Sequence, residues 1–216
     1  MTIAIIGTGN IGKAVGRQLV DGGEFVIFAS RDKSHADALA SELGGNAKSA
    51  TLTEAIAASD TVFLALWLDA MKEFLGKYKN SLDDKIIIDP SNPISFAEDG
   101  KVRRTLPDGT SAGMVISSLL PVSVHYVKAF GTLGADSLAK SANGAPEKVV
   151  LFYATNDAKA EKTIVRLITE AGFDPVKAGG INDTLRVEFF GDLNGKPLNK
   201  VEAEAAVRAE TSGTSK

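Results

Sequence analysis

The chain has 216 residues, of which 44% are hydrophobic and 24% charged, a balance typical of a globular domain rather than a disordered or fibrous chain. Its formal net charge of −3 lacks the broad basic field that a nucleic-acid backbone requires, so nucleic acid is not an expected partner. The absence of cysteine excludes disulfides and thiolate metal sites, and no other metal-spaced cluster is visible.

Short apolar runs alternate with amphipathic segments along the chain. The runs predict strands at Thr2–Ile6, Phe25–Ala29, Thr61–Leu66, Lys85–Asp89, His125–Phe130 and Lys148–Ala154. Apolar residues three or four apart predict helices at Asn10–Asp21, Ser34–Leu43, Thr53–Ala58, Ala70–Tyr78, Ser111–Leu119 and Ala158–Ala171. This order predicts an α/β fold, a doubly wound and mainly parallel sheet with a short C-terminal helical segment.

The remaining stretches are polar or rich in small residues. Gly131–Glu147 has weak periodicity and is predicted to be a long surface loop, with a lid as one interpretation. The longest apolar stretches, such as Thr61–Leu68, fall far short of the roughly 20 residues that span a bilayer, and Met1 leads directly into a strand pattern. We therefore expect a cytoplasmic protein with no membrane partner.

A glycine-rich turn links the first predicted strand to the first helix. Gly7, Thr8, Gly9, Asn10, Ile11 and Gly12 form a G-x-G-x-x-G pattern that follows the strand directly. The first glycine permits a tight turn, the second admits a pyrophosphate close to the backbone, and the third lets the helix pack against the strand. This context indicates a Rossmann-type dinucleotide site, with a Gly-rich turn lacking a ligand as the alternative.

The end of the second strand indicates which dinucleotide is bound. An NAD site carries an acidic residue there, which accepts hydrogen bonds from the ribose 2′-hydroxyl. This chain has Ser30 and Arg31 instead, and Lys33 and His35 add positive charge close by. Because a hydroxyl and a guanidinium donate to a 2′-phosphate, NADP(H) is the predicted cofactor.

Other candidate residues lie at the carboxyl ends of later strands, where ligands bind on open parallel sheets. Leu66 and Trp67 close the third predicted strand, and Trp67 either packs on the dinucleotide or completes the core. Asn92 either pairs with a carboxamide or ribose hydroxyl or is a turn residue. Phe130 and Gly131 are expected to border the nicotinamide ring. No catalytic residue is identified, and His125 is expected to be a packed or surface histidine.

Four stretches together resemble the coenzyme F-420 (deazaflavin)-dependent NADP oxidoreductases and the related domain of STEAP-type metalloreductases: Ile3–Gly12, Ala29–Arg31, Asp89–Pro93, and Leu119–Pro121 with Val127–Thr132. The resemblance covers residues 1 to about 190. It implies that Thr8, Asn10 and Ile11 contact pyrophosphate and that the loop after Phe130 faces the hydride-accepting ring. Family members usually carry Asn or His at the position of Gly131 and often proline at that of Trp67.

The sequence therefore predicts an NADPH-dependent oxidoreductase that transfers hydride to a small-molecule acceptor, a deazaflavin or a flavin such as FMN or FAD. The alternatives are a non-catalytic NADP(H)-binding sensor, and an imine or carbonyl reductase with Tyr126, Lys128 or Thr132 as proton donor. The predicted layout is a Rossmann domain at 1–180, a helical cap at 181–210 and a disordered tail at 211–216. The segment Ile181–Leu193 either packs across a homodimer interface or caps its own sheet.

Overall fold

The computed structural model describes residues 1–144 and 147–211. Its strands are β1 Thr2–Ile6, β2 Phe25–Ala29, β3 Ala47–Ser49, β4 Thr61–Leu64, β5 Ile86–Asp89, β6 Ile94–Phe96, β7 Val102–Arg104, β8 His125–Ala129, β9 Val150–Ala154 and β10 Asp174–Gly179. Its α-helices are α1 Asn10–Asp21, α2 Lys33–Leu43, α3 Leu52–Ala57, α4 Leu68–Tyr78, α5 Ala112–Leu119, α6 Ala135–Ser141, α7 Ala158–Glu170, α8 Thr184–Val187 and α9 Lys200–Thr211.

Eight strands form one twisted sheet in the order β10-β9-β8-β5-β4-β1-β2-β3. The six strands from β8 to β3 in this order pair in parallel, so their carboxyl ends meet along one edge. The other two strands, β9 and β10, pair in parallel with each other and antiparallel to β8. The predicted α/β, Rossmann-type and mainly parallel fold is confirmed.

The core lies on both faces of this sheet because the strands are apolar on both sides. On one face, α1 and α7 pack against alternate residues such as Ile3, Ile5 and Phe28. On the other face, α4 and α5 cover Ala4, Ile6 and their neighbours. A third cluster joins β9 and β10 to the C-terminal segment through Val187, Leu193 and Ala203. The C-terminal segment therefore packs on its own sheet.

Several elements differ from the sequence-based prediction. Residues 131–147 are not one long loop, because α6 lies within them and buries Leu138, whose carbonyl accepts a hydrogen bond from Gln18 of α1. The hairpin β6–β7 and the strands β3 and β10 lack a predicted counterpart, since they are short, exposed or interrupted by polar residues. Of the tail predicted at 211–216, Thr211 is the last residue of α9, and residues 212–216 lie outside the described part of the chain.

Two predicted strands are too long at their carboxyl ends. Strand β4 ends at Leu64, because the Leu66 amide donates to the Leu64 carbonyl and turns the chain out of the sheet. Strand β8 ends at Ala129, where Phe130 adopts a positive φ of 62°. In the described residues, no helix is long and apolar enough to cross a membrane.

Two helical glycines give a matched test of this packing. A Cβ at Gly16 of α1 would lie 2.4 Å from the ring of Phe28, whereas a Cβ at Gly76 of α4 meets nothing within 4 Å. We expect Gly16→Ala to destabilise the fold by about 1–3 kcal/mol through overpacking. Gly76→Ala should stabilise it by about 0.5–1 kcal/mol, since alanine loses less conformational entropy in a helix. Urea denaturation measures the unfolding free energy of both variants. Equal changes of the same sign would contradict the close packing of α1 on Phe28.

Candidate functional site

The glycine-rich turn between β1 and α1 is packed so closely that side chains are excluded at two of its positions. Gly7 has a φ of 105°, and a Cβ there would lie 2.3 Å from the Ala65 carbonyl oxygen. A Cβ at Gly12 would lie 2.1 Å from the Gly7 carbonyl oxygen. Gly9 is exposed, and a Cβ added there would meet nothing within 4 Å. The turn thus leaves open space over the backbone at Gly9.

The amino end of α1 faces this open space with uncapped donors. Gly9 is the N-cap residue and provides no side-chain hydrogen bond, and the first turn of the helix contains no acidic residue. Amide groups in the first turn of a helix have no partner within it, and the helix dipole adds partial positive charge. The turn and the helix end therefore form an arrangement suited to an anion such as a pyrophosphate.

At the end of β2, an acidic side chain is engaged in a helix cap. The Asp32 carboxylate caps α2, accepting hydrogen bonds from the Ser34 amide at 3.0 Å and the Ser34 hydroxyl at 2.7 Å. These bonds hold the pKa of Asp32 below its usual value. The Ser30 hydroxyl donates to the Asp32 carbonyl at 2.5 Å. The arrangement leaves the exposed Arg31 as the charged group between Ser30 and this cap.

The two basic residues that follow Arg31 differ in their surroundings. Lys33 forms an ion pair with Asp37 at 2.5 Å, one helical turn further along α2. Asp37 also accepts a hydrogen bond from Ser49 of β3. Lys33 therefore points along the outer surface of the helix, whereas His35 lines the cavity that contains Ser30 and Arg31.

That cavity has a volume of about 490 Å³ and lies between the glycine turn, the end of β2 and helix α4. Gly7, Gly9, Ser30 and Arg31 line one side of it, and Leu66 and Trp67 line another. Trp67 is 61% exposed, so it does not complete the core. Its ring contacts the ring of Phe96 from β6 edge to face, with a centroid distance of 6.1 Å. Phe96 is thus an aromatic neighbour of the cavity that the sequence pattern did not indicate.

Beyond the cavity, the loops after β5 and β8 are tied together by side-chain amides. The Asn92 side chain donates to the Gly131 carbonyl at 3.0 Å and accepts from the Phe189 amide at 2.6 Å. Asn194 donates to the same Gly131 carbonyl at 3.1 Å. Both the nitrogen and the oxygen of the Asn92 side chain are therefore hydrogen-bonded within the chain. The residue links the loop after β5 to the loop after β8 and to the C-terminal segment.

The predicted Phe130 and Gly131 lie at this junction in different environments. The Phe130 ring is fully buried and packs edge to face against Phe63, so its side chain belongs to the core. Gly131 is partly exposed, and a Cβ there would lie 2.7 Å from the Pro90 carbonyl oxygen. A larger residue at position 131 requires the loop after β5 to move.

Beneath these loops lies a buried ionic cluster formed by Asp89, Lys128 and Glu188. The Lys128 ammonium donates to the Asp89 carboxylate at 3.1 Å and to the Ser91 carbonyl at 2.5 Å, and lies 3.5 Å from Glu188. The hydroxyl of Tyr126 donates to Asp89 at 2.6 Å. All of these side chains are almost inaccessible to solvent.

Glu188 joins the cluster to the amino end of α5. Its two carboxylate oxygens accept hydrogen bonds from the amides of Ala112 and Gly113, at 2.9 and 2.8 Å. Burial raises the pKa of Glu188 above its usual value, although Lys128 and the two amides oppose that rise. No periodic pattern in the sequence indicated this role. For its partners Asp89 and Lys128, the sequence did carry a signal of the cluster, because each is a charged residue within an otherwise apolar strand.

Neither histidine belongs to this junction, since His35 lines the cavity beside Arg31 and His125 lies at the start of β8. His125 begins β8, at the opposite edge of the sheet, and its Nδ1 lies 2.8 Å from Asp157, the N-cap residue of α7. It is a partly buried structural histidine, as expected. Within residues 1–144 and 147–211, no group of three or more histidine, aspartate or glutamate side chains is placed to hold a metal ion.

Comparison with known proteins relates this chain to a family. Residues 2–93 match the family described as "NADP oxidoreductase coenzyme F420-dependent". The chain is 27% identical over 204 residues to an F420-dependent NADP reductase of Methanothermobacter thermautotrophicus, covering 89% of this chain and 87% of the relative. It is 24% identical over 186 residues to the metalloreductase STEAP3 of Rattus norvegicus, where the match covers 86% of this chain but only 35% of the longer protein.

Among solved structures, a hypothetical protein from Sinorhizobium meliloti is similar, with a TM-score of 0.82 and 29% identity. The match covers 93% of this chain and 96% of that one. These findings confirm the resemblance that the sequence motifs predicted, and with it the predicted enzyme class, an NADP-dependent oxidoreductase.

The raised pKa of Glu188 gives a testable pH dependence. Between its usual value of 4.5 and the higher folded value, the folded state binds more protons than the unfolded state, so stability falls as pH rises. A glutamine at this position would lack the titration. We therefore expect the unfolding free energy of wild type minus that of Glu188→Gln to decrease between about pH 4 and pH 7. Urea denaturation at several pH values measures it, with the exposed Glu98→Gln as control. A difference that increases with pH would contradict the assignment.

Proposed function

We propose that this chain, a relative of the coenzyme F420-dependent NADP oxidoreductases, transfers a hydride between NADP(H) and a planar flavin or deazaflavin acceptor. The observation that carries the proposal is the cavity beside the glycine turn, where Ser30 and Arg31 lie together while the carboxylate that follows them, Asp32, is held in a helix cap. A 2′-phosphate in this cavity would meet the exposed Arg31 guanidinium directly, and the Ser30 hydroxyl would donate to it after exchanging its bond to the Asp32 carbonyl. The Asp32 carboxylate also lines the cavity, where its oxygen accepts from the amide and hydroxyl of Ser34.

The chain's own residues fit the dinucleotide in three parts. The open backbone at Gly9 and the uncapped amides of α1 suit the pyrophosphate. Arg31, with Ser30 and His35 beside it, suits the 2′-phosphate. Leu66 and Trp67 provide an apolar wall for the adenosine half.

The remaining predicted cofactor residues contribute less directly. Thr8, Asn10 and Ile11 belong to the same turn and helix start as Gly9. Lys33 adds charge only from the outer surface, because it is paired with Asp37.

Hydride transfer between two bound rings requires positioning rather than a protein nucleophile. When bound, NADPH supplies the hydride from its nicotinamide. The chain's part is to fix the backbone after Phe130, where the side-chain amides of Asn92 and Asn194 both donate to the Gly131 carbonyl. A rigid, partly buried border of this kind orients two reactants and limits the access of water.

Reduction of a small imine or carbonyl compound also needs a proton donor, and the geometry offers little support for one. Tyr126 and Lys128 are buried, and both are hydrogen-bonded to Asp89. The Thr132 hydroxyl is buried and, among the described residues, has no hydrogen-bond partner. Thr132 is therefore the donor to test for this second candidate function. A non-catalytic NADP(H) sensor would bind the cofactor without turnover.

The cofactor assignment makes Arg31 the first residue to test. We expect Arg31→Ala to weaken NADPH binding by about ten- to a hundredfold, because charge-assisted hydrogen bonds to the 2′-phosphate are lost. Affinity for NADH, which lacks that phosphate, should stay the same. Titration monitored by Trp67 fluorescence measures both constants. Lys48→Ala is the matched control, since it removes one positive charge from the exposed side of β3.

Equal loss of NADPH and NADH affinity in Arg31→Ala would indicate a general effect on folding or on the electrostatic field of the site. It would contradict the assignment of Arg31 to the 2′-phosphate. Turnover separates the candidate functions. Oxidation of NADPH, followed by its absorbance, should occur with FMN or coenzyme F-420 and persist in Thr132→Val. Activity restricted to small imines or carbonyl compounds and lost in Thr132→Val would favour the second candidate, and tight binding without turnover would favour a sensor.

A further inference from the structure

The C-terminal segment contains a tight turn whose sequence is unusual for its backbone conformation. The Gly191 amide donates to the Glu188 carbonyl at 2.7 Å, which closes a four-residue turn. Phe190 is the third residue of this turn and has a φ of 76°. That position of a type II turn, with φ of about +80°, strongly favours glycine because other side chains are strained there. A bulky residue at such an angle is uncommon.

Packing does not account for phenylalanine at this position. Phe190 is 60% exposed, so the strain is not offset by burial in the core. Its ring contacts the ring of the adjacent Phe189, edge to face at a centroid distance of 4.8 Å. The interplanar angle of 86° means that the two rings do not stack face to face. The turn therefore holds an aromatic ring out of the surface at a cost in stability.

Anchors on both sides of the turn hold this ring in place. On the amino-terminal side, Glu188 is buried against Lys128 and α5, and the Phe189 amide donates to Asn92. On the carboxyl-terminal side, Asn194 donates to the Gly131 carbonyl and the Gly195 amide donates to the Thr132 carbonyl. Strained residues persist where their surroundings over-determine them, and such residues concentrate at ligand sites.

The same anchors place the turn. Asn92 lies shortly after β5, and Gly131 and Thr132 follow β8, so the turn is attached to the two loops that border the proposed hydride-transfer site. An exposed ring fixed at that border offers a flat apolar surface to a second flat ring. Aromatic rings gain from offset or edge contacts beyond the area they bury.

We propose that Phe190 is the residue on which the ring of a planar hydride acceptor packs, and that it selects planar acceptors over small carbonyl compounds. The inference rests on the proposed function and deepens it, since it names a specificity-determining residue outside the glycine turn. The alternative partner for the Phe190 ring is a second copy of this chain, and the experiment distinguishes acceptor binding from dimer contact.

The test measures acceptor binding without turnover. Oxidised FMN and oxidised coenzyme F-420 are titrated into protein saturated with NADP⁺, and quenching of the acceptor fluorescence gives the dissociation constant. We expect Phe190→Leu to weaken acceptor binding by about tenfold, whereas Phe190→Tyr, which keeps the ring, stays close to wild type. The matched control is Phe25→Leu, which removes an exposed ring at the start of β2, on the opposite edge of the sheet.

A second variant, Phe190→Gly, separates binding from stability, because it removes the ring and also relieves the backbone strain. Phe190→Gly should weaken acceptor binding at least as much as Phe190→Leu, yet its melting temperature should equal or exceed that of wild type, because glycine accepts the positive φ. Loss of binding with no loss of stability separates a role in recognition from a role in folding. A lower melting temperature for Phe190→Gly would overturn the inference.

Two further results would also overturn it. The first is an unchanged acceptor dissociation constant in Phe190→Leu, and the second is dissociation of a dimer in Phe190→Leu, seen by light scattering, which would assign the ring to contact with a second copy. Failure of the proposed function itself is distinct, because it appears in the wild-type protein, as absence of NADP(H) binding or as binding of neither planar probe.

Discussion

The buried ammonium of Lys128 is the interaction on which the loops proposed to bind the acceptor depend. It lies between the carboxylates of Asp89 and Glu188, on three segments that are remote in sequence. Removal of one partner from a buried charge cluster leaves an uncompensated charge, at a cost of roughly 3–5 kcal/mol. The cluster therefore holds β5, β8, α5 and the C-terminal segment in one arrangement. The loops after β5 and β8 are fixed in position as a result.

The two halves of the proposed site are built on different physical principles. On the cofactor side, the backbone forms most of the site, because glycines bring β1 and α1 close together and leave amides exposed at the helix end. On the acceptor side, side chains form it, since Asn92 and Asn194 fix loop carbonyls and Glu188 anchors the following turn. A site formed by the backbone depends on the spacing of glycines, which is local in sequence. A site formed by side chains depends on segments that are distant in sequence and meet in the fold.

This division agrees with the extent of the family match. The matched residues 2–93 contain the glycine turn, Ser30, Arg31, Trp67 and Asn92. They end before the β6–β7 hairpin, the loop after β8 and the segment that carries Phe190. The cofactor half is thus the part that this chain shares most clearly with its relatives. Gly131 and Phe190, which we propose lie at the acceptor site, fall outside the matched residues.

The sequence by itself determined the order of the main elements, the glycine turn and the boundaries of β1, α1 and β2, because periodicity and glycine spacing are local properties of the chain. It also indicated Arg31 as a candidate phosphate ligand, since the position after β2 is fixed by the same local pattern. Tertiary structure alone decided the reversed direction of β9 and β10, the formation of α6 against α1, and the engagement of the Asn92 side chain at both its nitrogen and its oxygen. It also brought Asp89 and Lys128 together across 39 residues. Single charged residues carry no periodic signal, so their partners are defined only once the sheet has placed the strand ends side by side.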